Sequence, residues 1–206
     1  MTNGIMYDLL TPGKIGESHL EAFEVSESSS RMTALSHRPG LSYVPAGNYL
    51  RLYVGGVLMM SDTPMEVRTN SDVMNCSWGH VLVAGLGMGA ILPKILSDDR
   101  VLSVTVIERS PDVVRLVGPQ LATVAGGDKL RIVNADIFEW RPRKGVKFDT
   151  IYFDIWPDIC IDNLDEIRVL HQRFKGYKSK AGTMSSWMAD YLRAERRADN
   201  RRFRYW

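Results

Sequence analysis

Apolar residues follow two different rhythms along this chain. Up to about residue 75 they alternate with polar ones or stand alone. In NYLRLYV, Leu50, Leu52 and Val54 alternate with Tyr49, Arg51 and Tyr53, the period of a strand with one buried face. Gly55-Gly56 comes next and Val57 to Met60 run back, which predicts a β-hairpin closed by a two-glycine turn. SESSS (26–30) and HRPG (37–40) carry loop chemistry. The front third, residues 1–75, therefore reads as a small β-rich unit with long loops.

From about His80 onward short apolar runs alternate with amphipathic stretches. HVLVAG, VLSVTVIE, LRIVNAD and FDTIYFD are bounded by turn residues and rich in β-branched or aromatic side chains, which predicts four strands. MGAILPKILSDD and PDVVRLVGPQLATV predict the helices between the first three, each interrupted by a proline, Pro93 or Pro119. The link from the third strand to the fourth shows no helical pattern. DNLDEIRVLHQRF reads as an amphipathic helix with Asp162 as its N-cap and acids in its first turn. GTMSSWM predicts a fifth strand, and the residues after Trp187 one basic helix. The alternation implies an α/β fold over residues 76–206: a Rossmann-like, mainly parallel sheet with helices on both faces.

Such a sheet binds ligands at the carboxyl ends of its strands, near the point where strand order reverses. The residues that follow each apolar run are therefore the ones to read. After the first come Gly85, Leu86, Gly87 and Gly89; after the second Glu108 and Arg109; after the third Asp136 and Ile137; after the fourth Asp154. Glycines at 85 and 87 let a ligand approach the main chain. Gly85, Gly87 and Ala90 also satisfy the GxGxxG/A pattern of a dinucleotide site, and Glu108 lies where an acid meets a ribose diol in either kind of site. A purely structural turn is the third alternative. Asp136 leans toward an adenosyl ligand, whose exocyclic amino group needs an acceptor there. Asp154 can orient an amine or accept its proton. Trp156 offers an aromatic face to a cation, and Asp158 a second carboxylate.

Other side chains carry less chemistry. His19, His37, His80 and His171 show no paired spacing, so no metal site is expected. Met59, Met60 and Met65 read as core filler. No nucleophile with an adjacent base stands out, which argues against a hydrolase. Cys76 and Cys160 lack metal-type spacing and make a poor disulfide framework, and no secretory pattern opens the chain, so a reducing, cytoplasmic setting is expected. No apolar run reaches the roughly 18 residues of a membrane span. The net charge of +2 over 206 residues selects no partner, but Arg193, Arg196, Arg197, Arg201, Arg202 and Arg204 crowd the end beside Tyr205 and Trp206. That end fits either a nucleic-acid contact or a solvated helix terminus.

In order, VLVAGLGMGAIL, VTVIERSPDVV, LRIVNADIFEW and FDTIYFDIWPD resemble the first four motifs of class I S-adenosylmethionine (SAM)-dependent methyltransferases, and more narrowly the spermidine synthase-like branch. Val83 stands where that branch is apolar, Glu108-Arg109-Ser110-Pro111 is similar to its acid-x-acid-Pro segment, and LRLYVGGVLMMSDTPME looks like its β-rich front unit. The resemblance implies that Gly85, Leu86, Gly87 and Gly89 line the amino-acid end of SAM or decarboxylated SAM. It further implies that Glu108 and Arg109 lie at the ribose, Asp136 and Ile137 at the adenine, and Asp154 at the reacting centre with Asp158. Glu66 and Trp156 fall on the side of a small-molecule substrate. The departures are Met88 for the aspartate of the glycine loop, Ser110 for the second acid after strand two, and Asp158 one residue too far along. Transfer of a methyl group to a small amine is the expectation. Aminopropyl transfer is its first rival, and a non-catalytic SAM-binding or scaffold protein its second. A full sheet of this kind has two more strands, so a truncated edge is expected, covered by the last helix or by a second copy in a homo-oligomer.

Overall fold

The computed structural model describes residues 2–34 and 43–202. Its front part is a small sheet of β1 (Thr2–Asn3), β2 (Gly13–Ile15), β3 (Ser18–Val25), β4 (Gly47–Val54) and β5 (Val57–Ser61). β4 lies at its centre, antiparallel to β3 on one side and to β5 on the other, while β1 adds two parallel pairs at its start. The expected hairpin is β4–β5. Gly55 and Gly56 have φ of 58° and 78°, the pair of positive values that a two-residue turn of matching twist requires.

SESSS is not a loop. Ser26 accepts from the Ser29 amide at 3.2 Å and starts helix α1 (Glu27–Ala34). A serine run is poor helix interior, but a serine at the N-cap satisfies an amide that would otherwise lack a partner. HRPG lies outside the described residues.

Two short helices, α2 (Pro64–Thr69) and α3 (Ser71–Cys76), lead into the second sheet. There follow β6 (Gly79–Ala84), α4 (Leu92–Leu96), β7 (Val101–Glu108), α5 (Pro111–Leu121), β8 (Leu130–Asn134), β9 (Phe148–Phe153), α6 (Asn163–Phe174), β10 (Lys178–Ser186) and α7 (Ala189–Arg202). All neighbours in this sheet are parallel, in the order β10-β9-β6-β7-β8, so strand order reverses at β6.

Both faces of the sheet are covered, and this is why its strands read as continuous apolar runs. Val81, Val83, Val104 and Val106 pack with α4, α5 and the front residues Leu20, Leu50 and Leu52, so the two sheets share one core. Leu82, Ala84, Ile151 and Phe153 face the other way, against Leu164, Ile167, Leu170 and Phe174 of α6 and Leu192 of α7. Two long-range bonds fix the front part further: the Thr11 amide donates to Gln120 and the Glu17 amide to Asp112, both on α5.

Three expectations about helices need correction. The first is much shorter than its pattern, with Pro93 at its first turn instead of in its interior, because residues 85–91 are spent on the glycine loop. Pro119 lies inside α5, which ends two residues later. Asp162 precedes α6 but has helical φ and ψ and no capping hydrogen bond from its side chain. Among the described residues no helix is long and apolar enough to cross a membrane, and β10 is the outermost strand, its second edge unpaired.

Candidate functional site

A cleft of about 640 Å³ opens where the carboxyl ends of β6, β7, β8 and β9 meet the β4–β5 hairpin and α2. That size suits a small organic ligand. Its floor is the turn after β6. Gly85 and Gly87 have φ of 95° and 51°, which only glycine adopts without strain. The strictest constraint is at Gly85, where a Cβ would run into the carbonyl oxygen of Asp154, just past the neighbouring strand β9. Gly89 differs: a Cβ there would meet Leu121 of α5, and Gly89 does not line the cleft. It is a packing glycine, so the expectation that it faces the ligand is corrected. Leu86 lines the cleft and is largely buried.

Glu108 ends β7 and ties the loops together. Its Oε2 accepts from the Leu86 amide at 2.8 Å and its Oε1 from the Ser110 amide at 2.7 Å. Each oxygen keeps a lone pair for a ligand hydroxyl. Arg109 beside it is exposed and is the single lysine or arginine on the cleft lining among the described residues. Asp136 follows β8. Its Oδ1 accepts from the Phe138 amide at 2.8 Å, which sets the turn, and its Oδ2 has no partner among the described residues. Ile137 closes the wall beside it.

Asp154 follows β9, its amide donating to Ala84 at 2.8 Å. Water reaches it through the cleft, protein surrounds it elsewhere, and no described residue hydrogen-bonds its carboxylate. Burial pushes its pKa up to about 7. Across the cleft, on α2, Glu66 is 7% exposed. Burial first, then the charges of Asp154 and Asp62, raise it to about 8. Asn70 holds Glu66 in place, donating to its carbonyl oxygen at 3.1 Å and to Oε2 at 3.5 Å, while Tyr152 of β9 donates to Asn70 Oδ1 at 2.6 Å. Asp62 is structural: it accepts from the Met6 amide at 3.1 Å and the Leu50 amide at 2.6 Å.

Trp156 combines both readings of its role. It belongs to the second core cluster, yet it lines the cleft, and its Nε1 donates to Glu166 Oε2 at 2.7 Å. Asp158 does not join the site. It is exposed, outside the cleft, and its carbonyl accepts from Asn163. The extra residue between the two acids carries the second one past the rim. The first arginines of the basic end turn elsewhere too: Arg193 and Arg196 line a separate groove between α6, β10 and α7, with Arg168, Lys175 and Lys178. Arg204, Tyr205 and Trp206 lie outside the described residues.

Two features were missed in the sequence. The Tyr152–Asn70–Glu66 chain joins residues far apart in sequence, and no local pattern signals it. The methionines read as core filler, Met59, Met60 and Met65, line the cleft, and Met60 Sδ lies 3.2 Å from the Met88 amide of the glycine loop. Their place on the hairpin's return strand and the helix after it was the available clue.

No family model matches the chain, and no curated protein matches it in sequence. Among solved structures the similarity is one of fold. The spermidine synthase of Thermotoga maritima is 17% identical with a TM-score of 0.53, over 86% of this chain and 55% of that one. The glycopeptide N-methyltransferase MtfA is 20% identical with a TM-score of 0.45, over 59% and 51%. The precorrin 8W decarboxylase of Methanobacterium thermoautotrophicum is 18% identical with a TM-score of 0.45, over 59% and 61%. The chain thus spans between about half and three fifths of the length of these structures. Several of the other solved structures that match are named as methyltransferases, and the fold is the one seen in the spermidine synthase.

Proposed function

We propose that the protein is a SAM-dependent transferase that moves a methyl group to a small amine. The observation that carries the reading is the convergence of Glu108, Asp136 and Asp154, from the ends of three strands, on the cleft floored by Gly85 and Gly87. The residues suit an adenosyl ligand: left-handed glycines clear the main chain, Glu108 has lone pairs for a ribose diol, and Asp136 Oδ2 has room for an amino group. Ile137 and Leu86 supply apolar contact for the base. When bound, the sulfonium supplies an electrophilic carbon whose leaving group is a neutral thioether.

The chain's own contribution is positioning and proton control. An amine reaches the cleft as an ammonium ion, and the carboxylate of Asp154 holds it. With a pKa of about 7, Asp154 is well placed near neutral pH to take the proton that frees the lone pair. Glu66, neutral up to about pH 8, offers a hydrogen bond to the substrate without a second full charge. The indole of Trp156, fixed by Glu166, closes the apolar rim. Asp154 would take the amine proton and pass it to solvent as the group is transferred.

Aminopropyl transfer is the second reading, favoured by the cleft's charge. Among the described residues Glu66, Glu108, Asp136, Asp154 and Glu166 line it against Arg109 alone. Product identity separates the two: S-adenosylhomocysteine for a methyl group, methylthioadenosine for an aminopropyl group. The proposal includes a cytoplasmic setting, supported by two cysteines that are both free. Titration calorimetry with SAM, decarboxylated SAM, S-adenosylhomocysteine and NAD tests the whole. Binding of an adenosyl sulfur ligand is expected, and binding of NAD alone would overturn it.

A further inference from the structure

Four amides of the glycine loop are already bonded within the protein. Gly85 donates to the Ile107 carbonyl at 2.9 Å, Leu86 to Glu108, and Gly89 to the Leu86 carbonyl at 2.7 Å. The Met88 amide donates to Met60 Sδ, and the same sulfur lies where a Cβ on Gly87 would be. The amides of Gly87, Ala90 and Ile91 have no protein acceptor among the described residues. The Met88 side chain itself is fully buried in the core and offers the cleft nothing.

Exposed amides at the end of a glycine turn form a natural cradle for an anion. Here the Met88 amide is covered by a thioether, a weak acceptor on a flexible stem. A carboxylate-bearing ligand must push Met60 aside before it can use the Met88 amide, and among the described residues the cleft supplies one cation, the exposed Arg109, against five carboxylic side chains. A ligand whose tail carries no carboxylate leaves the sulfur in place and keeps its contact. We propose that Met60 is a specificity-determining residue of the adenosyl site: its sulfur competes with the carboxylate of a ligand's amino-acid tail for the Met88 amide. The inference rests on the adenosyl reading of the cleft and adds to it the residue that grades tails.

Two neutral-thioether probes isolate the tail, because both share the adenosine and sulfur: methylthioadenosine, which lacks the amino-acid end, and S-adenosylhomocysteine, which carries it. Calorimetric Kd values for both are measured on the wild type, Met60→Ala and Met60→Leu. Met60→Leu keeps the bulk and removes the acceptor, so it reports even where the alanine variant folds poorly. The ratio of S-adenosylhomocysteine Kd to methylthioadenosine Kd is expected to fall about tenfold in Met60→Ala and less in Met60→Leu, a tenfold change being one weak hydrogen bond's worth. Methylthioadenosine affinity should stay within about threefold of wild type in both. An unchanged ratio in both variants, with methylthioadenosine still bound, overturns the role of Met60 and leaves the adenosyl reading standing. No binding of methylthioadenosine to the wild type overturns both.

Discussion

Gly85 and Asp154 approach each other too closely for a side chain: a Cβ on the first residue past β6 would collide with the carbonyl oxygen of the first residue past β9. The floor of the cleft therefore packs directly against the backbone that carries its candidate catalytic carboxylate, an approach that only a residue without a side chain allows. Gly85→Ala must either move β9 or rotate away from φ 95°, at a cost of about 3 kcal/mol or more. Urea denaturation is expected to show that loss, and whatever protein remains folded should bind S-adenosylhomocysteine less well. A stability within about 0.5 kcal/mol of wild type would mean the approach is softer than its geometry. Gly55→Ala is the contrasting control, since nothing lies within 4 Å of a Cβ there and only the turn's backbone preference is lost.

Glu66 imposes a pH dependence on stability. Its pKa rises from about 4.5 on the unfolded chain to about 8 when folded, so between these values the folded state binds the extra proton. Stability is then fully present below pH 4.5 and is lost as pH climbs through 8. Asp154, raised to about 7, adds a slope of the same sign. Glu66→Gln mimics the protonated form at every pH. It should match wild type at pH 5 and be more stable at pH 9, by on the order of a few kcal/mol. Chemical denaturation at both pH values measures it. An equal difference at the two would mean that ionisation of Glu66 is not what couples to folding.

The parallel sheet was legible because both of its faces are buried. Continuous runs such as VLSVTVIE and FDTIYFD leave few other elements open to them, and the residue after each run, Glu108 or Asp154, then falls at the cleft by topology alone. The front sheet was half legible. The hairpin betrayed itself through alternation and Gly55-Gly56, but β3 carries Glu21 at a half-exposed and Glu24 at an exposed position, so its apolar signal is diluted. Helix α1 was hidden because its start is signalled by Ser26 alone within a serine run. Gly89 and Asp158 show the limit of motif spacing: one extra residue, or a turn of the loop, decides whether a side chain faces a ligand or a neighbouring helix. Met60 and the Tyr152–Asn70–Glu66 chain depend on how the two sheets dock, which no local pattern encodes.

Glu108 has two duties that one experiment separates. Its carboxylate holds the Leu86 and Ser110 amides, and the proposed function gives it the ribose diol as well. Glu108→Gln keeps one acceptor oxygen and replaces the other with a donor, which repels one of the two amides. Methylthioadenosine is expected to bind about 30- to 100-fold more weakly to this variant, since a polar site loses a partner on each side of the bond. The 2′,3′-dideoxy analogue, already lacking the diol, should lose much less. If both nucleosides lose affinity equally, Glu108 shapes the loop and nothing more.

Asp154→Asn tests whether the cleft does chemistry. The substitution keeps the shape, removes the charge that burial penalises, and leaves the close backbone approach to Gly85 intact. Stability should therefore hold or rise slightly, most visibly above pH 7, where the wild-type carboxylate must stay charged in a poorly solvated place. Affinity for S-adenosylhomocysteine should stay within about threefold. Turnover with any amine that serves as acceptor should fall by about 10² to 10⁴, the usual contribution of a positioned proton acceptor. In the wild type, kcat/KM should rise with pH through about 7, as Asp154 ionises in the free protein, and that rise should vanish in the variant. Detection of S-adenosylhomocysteine or methylthioadenosine by mass reads turnover whichever group is moved. Equal turnover by wild type and Asp154→Asn would leave the cleft as a binding site, and the fold as a scaffold that holds a nucleoside without transforming it.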